Sequence, residues 1–374
     1  MSRRVDILES HLSIHRPTET PYKDELIQTV THLLQAGKGL LAADESMGTM
    51  AKRFHTINLA NTETNRKRYR EFLFEAPGLS QYVSGVILHE ETLGQSNSKG
   101  VPFAESLTRD GMLAGVKTDK GLVPFVSGAP GEQATQGLDD YLKRAQGYYK
   151  QGARFCKWRN VFKIQHGTVS EALVQRNAET LARYALLSQQ AGLVPIVEPE
   201  VMIDGTHSIE QCAKVSERVW FVVAQKLHEY GVLWEGMLLK PNMVLPGIDY
   251  PRKAAPAEVA RATVTTLSRA IPASCRGIVF LSGGLSEVQA SEYLNAMNSS
   301  ALGAPRPWQL RFSYARALQN SAIKAWQGKD ALAKNGQSVL LHRARMNSNA
   351  TKGAYRRTDD DSVSESLYVK DHKY

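Results

Sequence analysis

The 374-residue chain is predicted to fold as a single-domain α/β protein, a (β/α)8 TIM barrel followed by a flexible C-terminal tail. Two observations predict it. Eight short apolar runs end in charged or polar residues, and longer amphipathic segments separate them, as buried parallel strands alternating with helices require. The starts of the runs fall about 29 to 46 residues apart, the length of a strand plus a crossover helix. A doubly wound open sheet would also hold eight strands, but no GxGxxG follows the first run.

The elements follow in order. Residues 1–19 form a polar leader. Thr20 is suited to cap a first helix with Pro21 at its first position. Leu26, Ile27, Val30, Leu33 and Leu34 then recur at helical spacing, and Gly37 and Gly39 close the segment. The eight runs start at Gly39, Gly85, Ala114, Phe155, Val194, Trp234, Gly277 and Trp308. Among the intervening segments, 170–190 is the clearest helix, with Ala172, Leu173, Leu181, Tyr184 and Leu187 on one stripe. The barrel is expected over 20–345. From 346 to 374 the chain turns rich in Ser, Asn, Thr, Gly, Arg and Asp and reads as a mobile tail.

Composition narrows the function. Hydrophobic residues at 42% and charged residues at 22% are ordinary for a globular chain. The net charge of +9 suits nucleic acid, membrane surfaces or anionic small molecules. No zinc-finger, KH-like or RNP-like pattern appears, so the reading is phosphorylated metabolites and no nucleic acid. No apolar run approaches the ~18 residues of a membrane span. Cys156, Cys212 and Cys275 are sparse and odd in number, giving neither a disulfide framework nor a CxxC site. The histidines offer no HxH or HxxxH pair on a predicted strand or helix, and His89-Glu90 reads as a polar pair at a strand end, so no metal is expected.

In a (β/α)8 barrel the reactive groups stand at the C-terminal ends of the strands. Those ends carry Asp44, Lys117, Lys157, Glu198, Glu200, Lys240, Ser282 and the segment Tyr314 to Arg316. Lysines and carboxylates at one mouth suit imine chemistry. An amine attacks a ketone only when neutral, which nearby cations such as Lys157 and Arg159 favour. Carboxylates then shuttle protons as the carbinolamine loses water and a carbon–carbon bond breaks. The loops after strands seven and eight are a recurrent phosphate site, and here they hold Ser282, Gly283, Gly284 and Arg316.

Together the segments Leu41-Ala-Ala-Asp-Glu-Ser46, Lys157-Trp-Arg159, Val197-Glu-Pro-Glu200, Leu239-Lys-Pro-Asn-Met243, Phe280-Leu-Ser-Gly-Gly284 and Phe312-Ser-Tyr-Ala-Arg316 resemble class I fructose-bisphosphate aldolase. The resemblance runs from about Pro21 to Tyr374. It implies reversible cleavage of fructose 1,6-bisphosphate to dihydroxyacetone phosphate and glyceraldehyde 3-phosphate, with no metal or other cofactor and usually as a homotetramer. By position it implies Lys240 as the Schiff-base nucleophile and Glu198, with Glu200 beside it, as the acid/base for the carbinolamine. Asp44 would act on the C4 hydroxyl, Lys157 neighbour the nucleophile, and Tyr374 assist proton transfer at the enamine. Ser282, Gly283, Gly284, Ser313 and Arg316 match the 1-phosphate site. Arg53, Lys52 and Lys117 match the 6-phosphate end, where Thr49 replaces a common Ser and keeps its hydroxyl. Ala315 stands where the family usually has Gly, and its methyl would crowd the phosphate.

The leader holds Arg4-Val5, five residues, then His11-Leu12, which resembles a type 2 peroxisomal import signal. With body segments like those of kinetoplastid aldolases, it implies an import receptor as partner and a glycosomal location, the alternative being cytoplasm. Two other functions fit the same residues: a Schiff-base aldolase preferring another ketose phosphate, and a non-catalytic binding or scaffold protein on the same barrel.

Overall fold

A computed structural model describes residues 19–370. The leader residues Arg4, Val5, His11 and Leu12 and the terminal Tyr374 lie outside the described residues. The strands β1 (Gly39–Ala43), β2 (Val83–Leu88), β3 (Leu113–Lys117), β6 (Phe155–Phe162), β7 (Val194–Val201), β8 (Leu238–Leu239), β9 (Gly277–Phe280) and β10 (Gln309–Tyr314) close into a parallel barrel. Each of the eight runs supplies one barrel strand, and β1 pairs with both β2 and β10 to complete the ring. A short antiparallel hairpin, β4 (Leu122–Pro124) with β5 (Gln133–Thr135), lies outside the barrel and was not expected from the sequence.

Strand alternation produces two cores. Leu40, Ala42, Ile87, Phe155, Ile196, Leu238 and Val279 fill the barrel interior. Their strand neighbours, among them Ala43, Leu88, Val116, Trp158, Val197 and Leu239, face the surrounding helices. Glycines in the strands make room for aromatics in both cores. A Cβ at Gly115 would lie 2.2 Å from the Phe155 ring in the interior, and one at Gly39 would lie 2.6 Å from Phe312 in the outer core. Gly115→Ala is therefore expected to lower stability by about 1–3 kcal/mol through overpacking. A lower urea midpoint at unchanged slope checks this.

The helices follow the strands: α1 (Lys23–Leu33), α2 (Met47–His55), α3 (Glu63–Phe74), α4 (Glu90–Leu93), α5 (Phe103–Arg109), α6 (Tyr141–Lys150), α7 (Glu171–Gln190), α8 (Ile209–Glu229), α9 (Pro256–Ala270), α10 (Glu287–Asn298), α11 (Arg316–Trp326) and α12 (Ala333–Thr351). Ser46, Thr62, Ser170, Ser208 and Ser286 cap five of them through their side chains. Two boundaries differ from expectation. The first helix starts at Lys23, because Thr20 turns its hydroxyl to Gln189 O and accepts from Tyr22 N–H, holding Pro21 in a turn before the helix. The expected boundary between 345 and 346 falls inside α12. Met346, Asn347, Ser348 and Ala350 are buried there, so the first residues of the expected tail face protein rather than water.

Beyond α12 the chain packs back on the barrel. Asp360 accepts from Arg343 Nη1 at 2.8 Å and from Tyr355 Oη at 2.9 Å. Further on, Leu367 N–H donates to Gly284 O at 3.0 Å.

Candidate active site

The interior alternation runs on past the apolar layer and places charged side chains at the mouth. At alternate positions Ala42 is followed by Asp44, Phe155 by Lys157 and Arg159, Ile196 by Glu198 and Glu200, and Leu238 by Lys240. Lys240 continues β8 by donating its N–H to Val197 O at 2.8 Å. Asp44, Lys157, Glu198 and Lys240 are each at most 1% exposed.

These four form one chain of alternating charge. Lys157 Nζ stands 2.8 Å from Asp44 Oδ2 and 3.2 Å from Glu198 Oε2. The other Glu198 oxygen, Oε1, is 3.3 Å from Lys240 Nζ. One carboxylate thus spans two lysines. Burial pushes the Asp44 carboxyl up, but the charges of Lys157 and Lys240 override it and hold Asp44 well below the usual carboxylate range. Asp44 is ionised at neutral pH.

The remaining expected residues divide. Arg159 is engaged by Glu200 at 2.5 Å, so these two form their own pair beside the central chain. Lys117 holds Asp119 at 2.7 Å. Ser282, Gly283 and Gly284 make the turn after β9. Gly283 and Gly284 have φ of +53° and +93°, a conformation that favours glycine. Ser313 ends near the N-terminus of α11, its Oγ buried without a hydrogen-bond partner among the described residues. Arg316 opens α11 and donates to Leu367 O of the returning chain. A cavity of about 310 Å³ brings Thr49, Lys52, Arg53 and Arg316 together under residues 365–369. A larger groove of about 550 Å³ lies between α8 and α9 on the outer face and contains none of the expected residues.

Some neighbours were not anticipated. Glu45, fully buried, takes Arg53 at 2.7 Å and Arg70 at 2.5 Å. Burial raises its carboxyl, and Arg53 and Arg70 bring it back below the usual range. Gln319 accepts from Arg53 at 2.9 Å and Tyr69 at 2.8 Å while donating to Ala42 O at 2.6 Å. It thereby ties α2, α3, α11 and the end of β1 together. Glu45 stands next to Asp44 in the motif, which was the available signal. Gln319 had only its place one turn after Arg316.

A buried amine facing a carboxylate at a barrel mouth, with an ionised second carboxylate nearby, is the equipment that a lyase working through an imine requires. The comparisons are specific about which. The family model for class I fructose-bisphosphate aldolase matches residues 25–374. The cytosolic fructose-bisphosphate aldolase 5 of Arabidopsis thaliana is 52% identical over 355 residues, covering 94% of this chain and 98% of that protein. The cytoplasmic isozyme of Cicer arietinum is 50% identical over 359 residues, covering 95% and 99%. The solved Plasmodium falciparum fructose-bisphosphate aldolase, in complex with TRAP and a small-molecule inhibitor, superimposes with a TM-score of 0.88. It is 48% identical and covers 92% of this chain and 99% of that one. The chain belongs to the class I fructose-bisphosphate aldolase family, whose chemistry runs through a lysine Schiff base and needs no metal.

One expectation is corrected. The glycosomal location rested on the leader pattern and a kinetoplastid likeness. The two plant relatives named here are designated cytosolic and cytoplasmic, which points away from it.

Proposed function

We propose that Lys240 is the Schiff-base nucleophile for fructose 1,6-bisphosphate, the substrate preferred over other ketose phosphates. The observation that carries this is the placement of Lys240 Nζ, buried and 3.3 Å from Glu198 Oε1. Glu198 takes the proton that frees the amine. It then returns one as the carbinolamine at C2 loses water, with Lys157 steadying its second oxygen. Asp44 takes the C4 hydroxyl proton. The C3–C4 bond breaks, its electron pair moves into the iminium to give an enamine, and glyceraldehyde 3-phosphate leaves. Protonation of C3, assisted by Tyr374, and hydrolysis of the imine release dihydroxyacetone phosphate.

The phosphates are assigned by donors. Ser282, Gly283, Gly284, Ser313 and Arg316 take the 1-phosphate, a turn and helix N-terminus rich in N–H and hydroxyl groups. The methyl of Ala315 sits at that helix start and leaves its backbone N–H intact. Thr49, Lys52, Arg53 and Lys117 take the 6-phosphate. Arg159 and Glu200 hold each other beside the nucleophile. The assembly is proposed as a homotetramer, as the family resemblance implies, in the cytoplasm, the location that the relatives' names support. The kinetoplastid likeness rests on the leader and body segments of the sequence alone.

Borohydride reduction with dihydroxyacetone phosphate, followed by peptide mass spectrometry, tests the nucleophile. An adduct on Lys240 is expected. No adduct, in folded protein, would favour a binding protein on the same barrel. Removal of Tyr374 is expected to slow bisphosphate turnover by about tenfold or more with a smaller change in binding, because its proposed role falls in a step after capture. Single-turnover kinetics check it, and an unchanged rate removes the role.

A further inference from the structure

His89 directly follows β2 at the barrel mouth, and the assignments above give it no part. Ala43, Leu88 and Val116 face the outer core. They are also neighbours in the sheet, Ala43 opposite Leu88 and Leu88 opposite Val116. The next residue on each strand therefore turns inward. His89 keeps an extended backbone, φ −72° and ψ 151°, so the alternation still holds there. Asp44, His89 and Lys117 consequently stand side by side on the inner face, with His89 in the middle and half-buried.

Its tautomer is fixed by its own helix. His89 Nδ1 accepts from Glu91 N–H at 3.2 Å, which leaves the proton on Nε2. Burial, then the charges of Arg70 and Lys117, push the imidazole below its ordinary value, outweighing Glu91 and Asp44. The ring is neutral at pH 7, a donor without charge between an acid and a base.

We propose that His89 is a further substrate-contacting residue, donating from Nε2 to the half of the sugar that leaves as the aldehyde, between the C4 oxygen at Asp44 and the 6-phosphate at Lys117. The proposal rests on the placement of that half given under the proposed function. A donor there distinguishes a hydroxylated, phosphorylated aldehyde from a shorter one lacking those oxygens.

Two amides separate substrate contact from helix capping. Asn presents an acceptor where Nδ1 stands and has no group at the Nε2 position. Gln presents an N–H where Nε2 stands and leaves Glu91 N–H without its cap. Fructose 1,6-bisphosphate cleavage is measured for wild type, His89→Asn, His89→Gln and His89→Phe, alongside borohydride trapping of dihydroxyacetone phosphate on Lys240. His89→Asn and His89→Phe are expected to lose about tenfold or more in kcat/KM, the worth of one well-placed hydrogen bond. His89→Gln is expected to recover most of that loss. Trapping, which involves only the other half of the sugar, falls much less than cleavage. The reverse order, Asn active and Gln impaired, reduces His89 to a cap and overturns the proposal. So does equal activity in all four proteins, or a parallel fall in trapping and cleavage. If wild type itself fails to trap the ketone on Lys240, the underlying assignment falls, an outcome distinct from a wild type that traps and an Asn variant that matches it.

Discussion

Lys240→Met is expected to abolish cleavage, by about 10⁴-fold or more, while the protein stays folded. Methionine has similar length and fits a site only 1% exposed, so the barrel keeps its packing. The variant has no amine to add to C2, and nothing else at the mouth replaces it. Lys157 has its Nζ between Asp44 and Glu198, and both distances are short enough to hold it there. Loss of the Lys240 charge also removes the second-largest cation acting on Asp44, whose carboxyl should titrate higher in the variant. The measurements are steady-state turnover, circular dichroism to verify the fold, and borohydride trapping, which should give no adduct. Retained turnover in folded Lys240→Met would defeat the assignment of the nucleophile.

The barrel was legible because its strands are buried on both faces. Such strands read as near-continuous apolar runs, and the first polar residue after each run marks the mouth. That rule found Asp44, Lys157, Glu198 and Lys240 together, and the structure gathers them within one chain of ion pairs. The β4–β5 hairpin escaped because its strands are only three residues long and β4 is half-exposed, with Pro124 at its end. The start of the first helix escaped because Thr20 spends its hydroxyl on a residue far along the chain, Gln189, rather than on the helix.

The partners of the site were harder to read than its members. Glu45 follows Asp44 directly, yet it points to Arg53 and Arg70, as strand alternation dictates. Two adjacent carboxylates thus serve different tasks, and only three-dimensional packing separates them. Asn347 and Ser348 misled the composition argument for the opposite reason. Both are buried polar side chains, Asn347 accepting from Ser291 Oγ at 2.9 Å, which a count of residue types reads as solvent-exposed.

Asp360→Ala is expected to cost about 3–5 kcal/mol of stability, the largest effect among single changes outside the mouth. The reason lies with its partner. Arg343 is fully buried on α12, where it donates to Glu287 O at 2.6 Å, Ser291 Oγ at 2.8 Å and Asp360 Oδ2 at 2.8 Å. Of these acceptors, Asp360 carries the compensating negative charge. Removing it leaves a buried guanidinium uncompensated, and Tyr355 Oη loses its acceptor as well. The same pair sets a pH dependence. Burial raises the Asp360 carboxyl, but Arg343 and hydrogen bonds from Ser362 override that and hold it well below its ordinary 3.8. A group held low in the fold binds protons more readily in the unfolded chain, so its contribution is complete above about pH 4 and is lost as pH falls from there toward the folded value. Wild type should therefore lose stability on the acid side more steeply than Asp360→Ala. Urea midpoints at pH 7 and pH 3 measure both effects. A constant gap between the two proteins across that range would mean that the carboxylate charge contributes nothing and that Arg343 is held by its neutral acceptors alone.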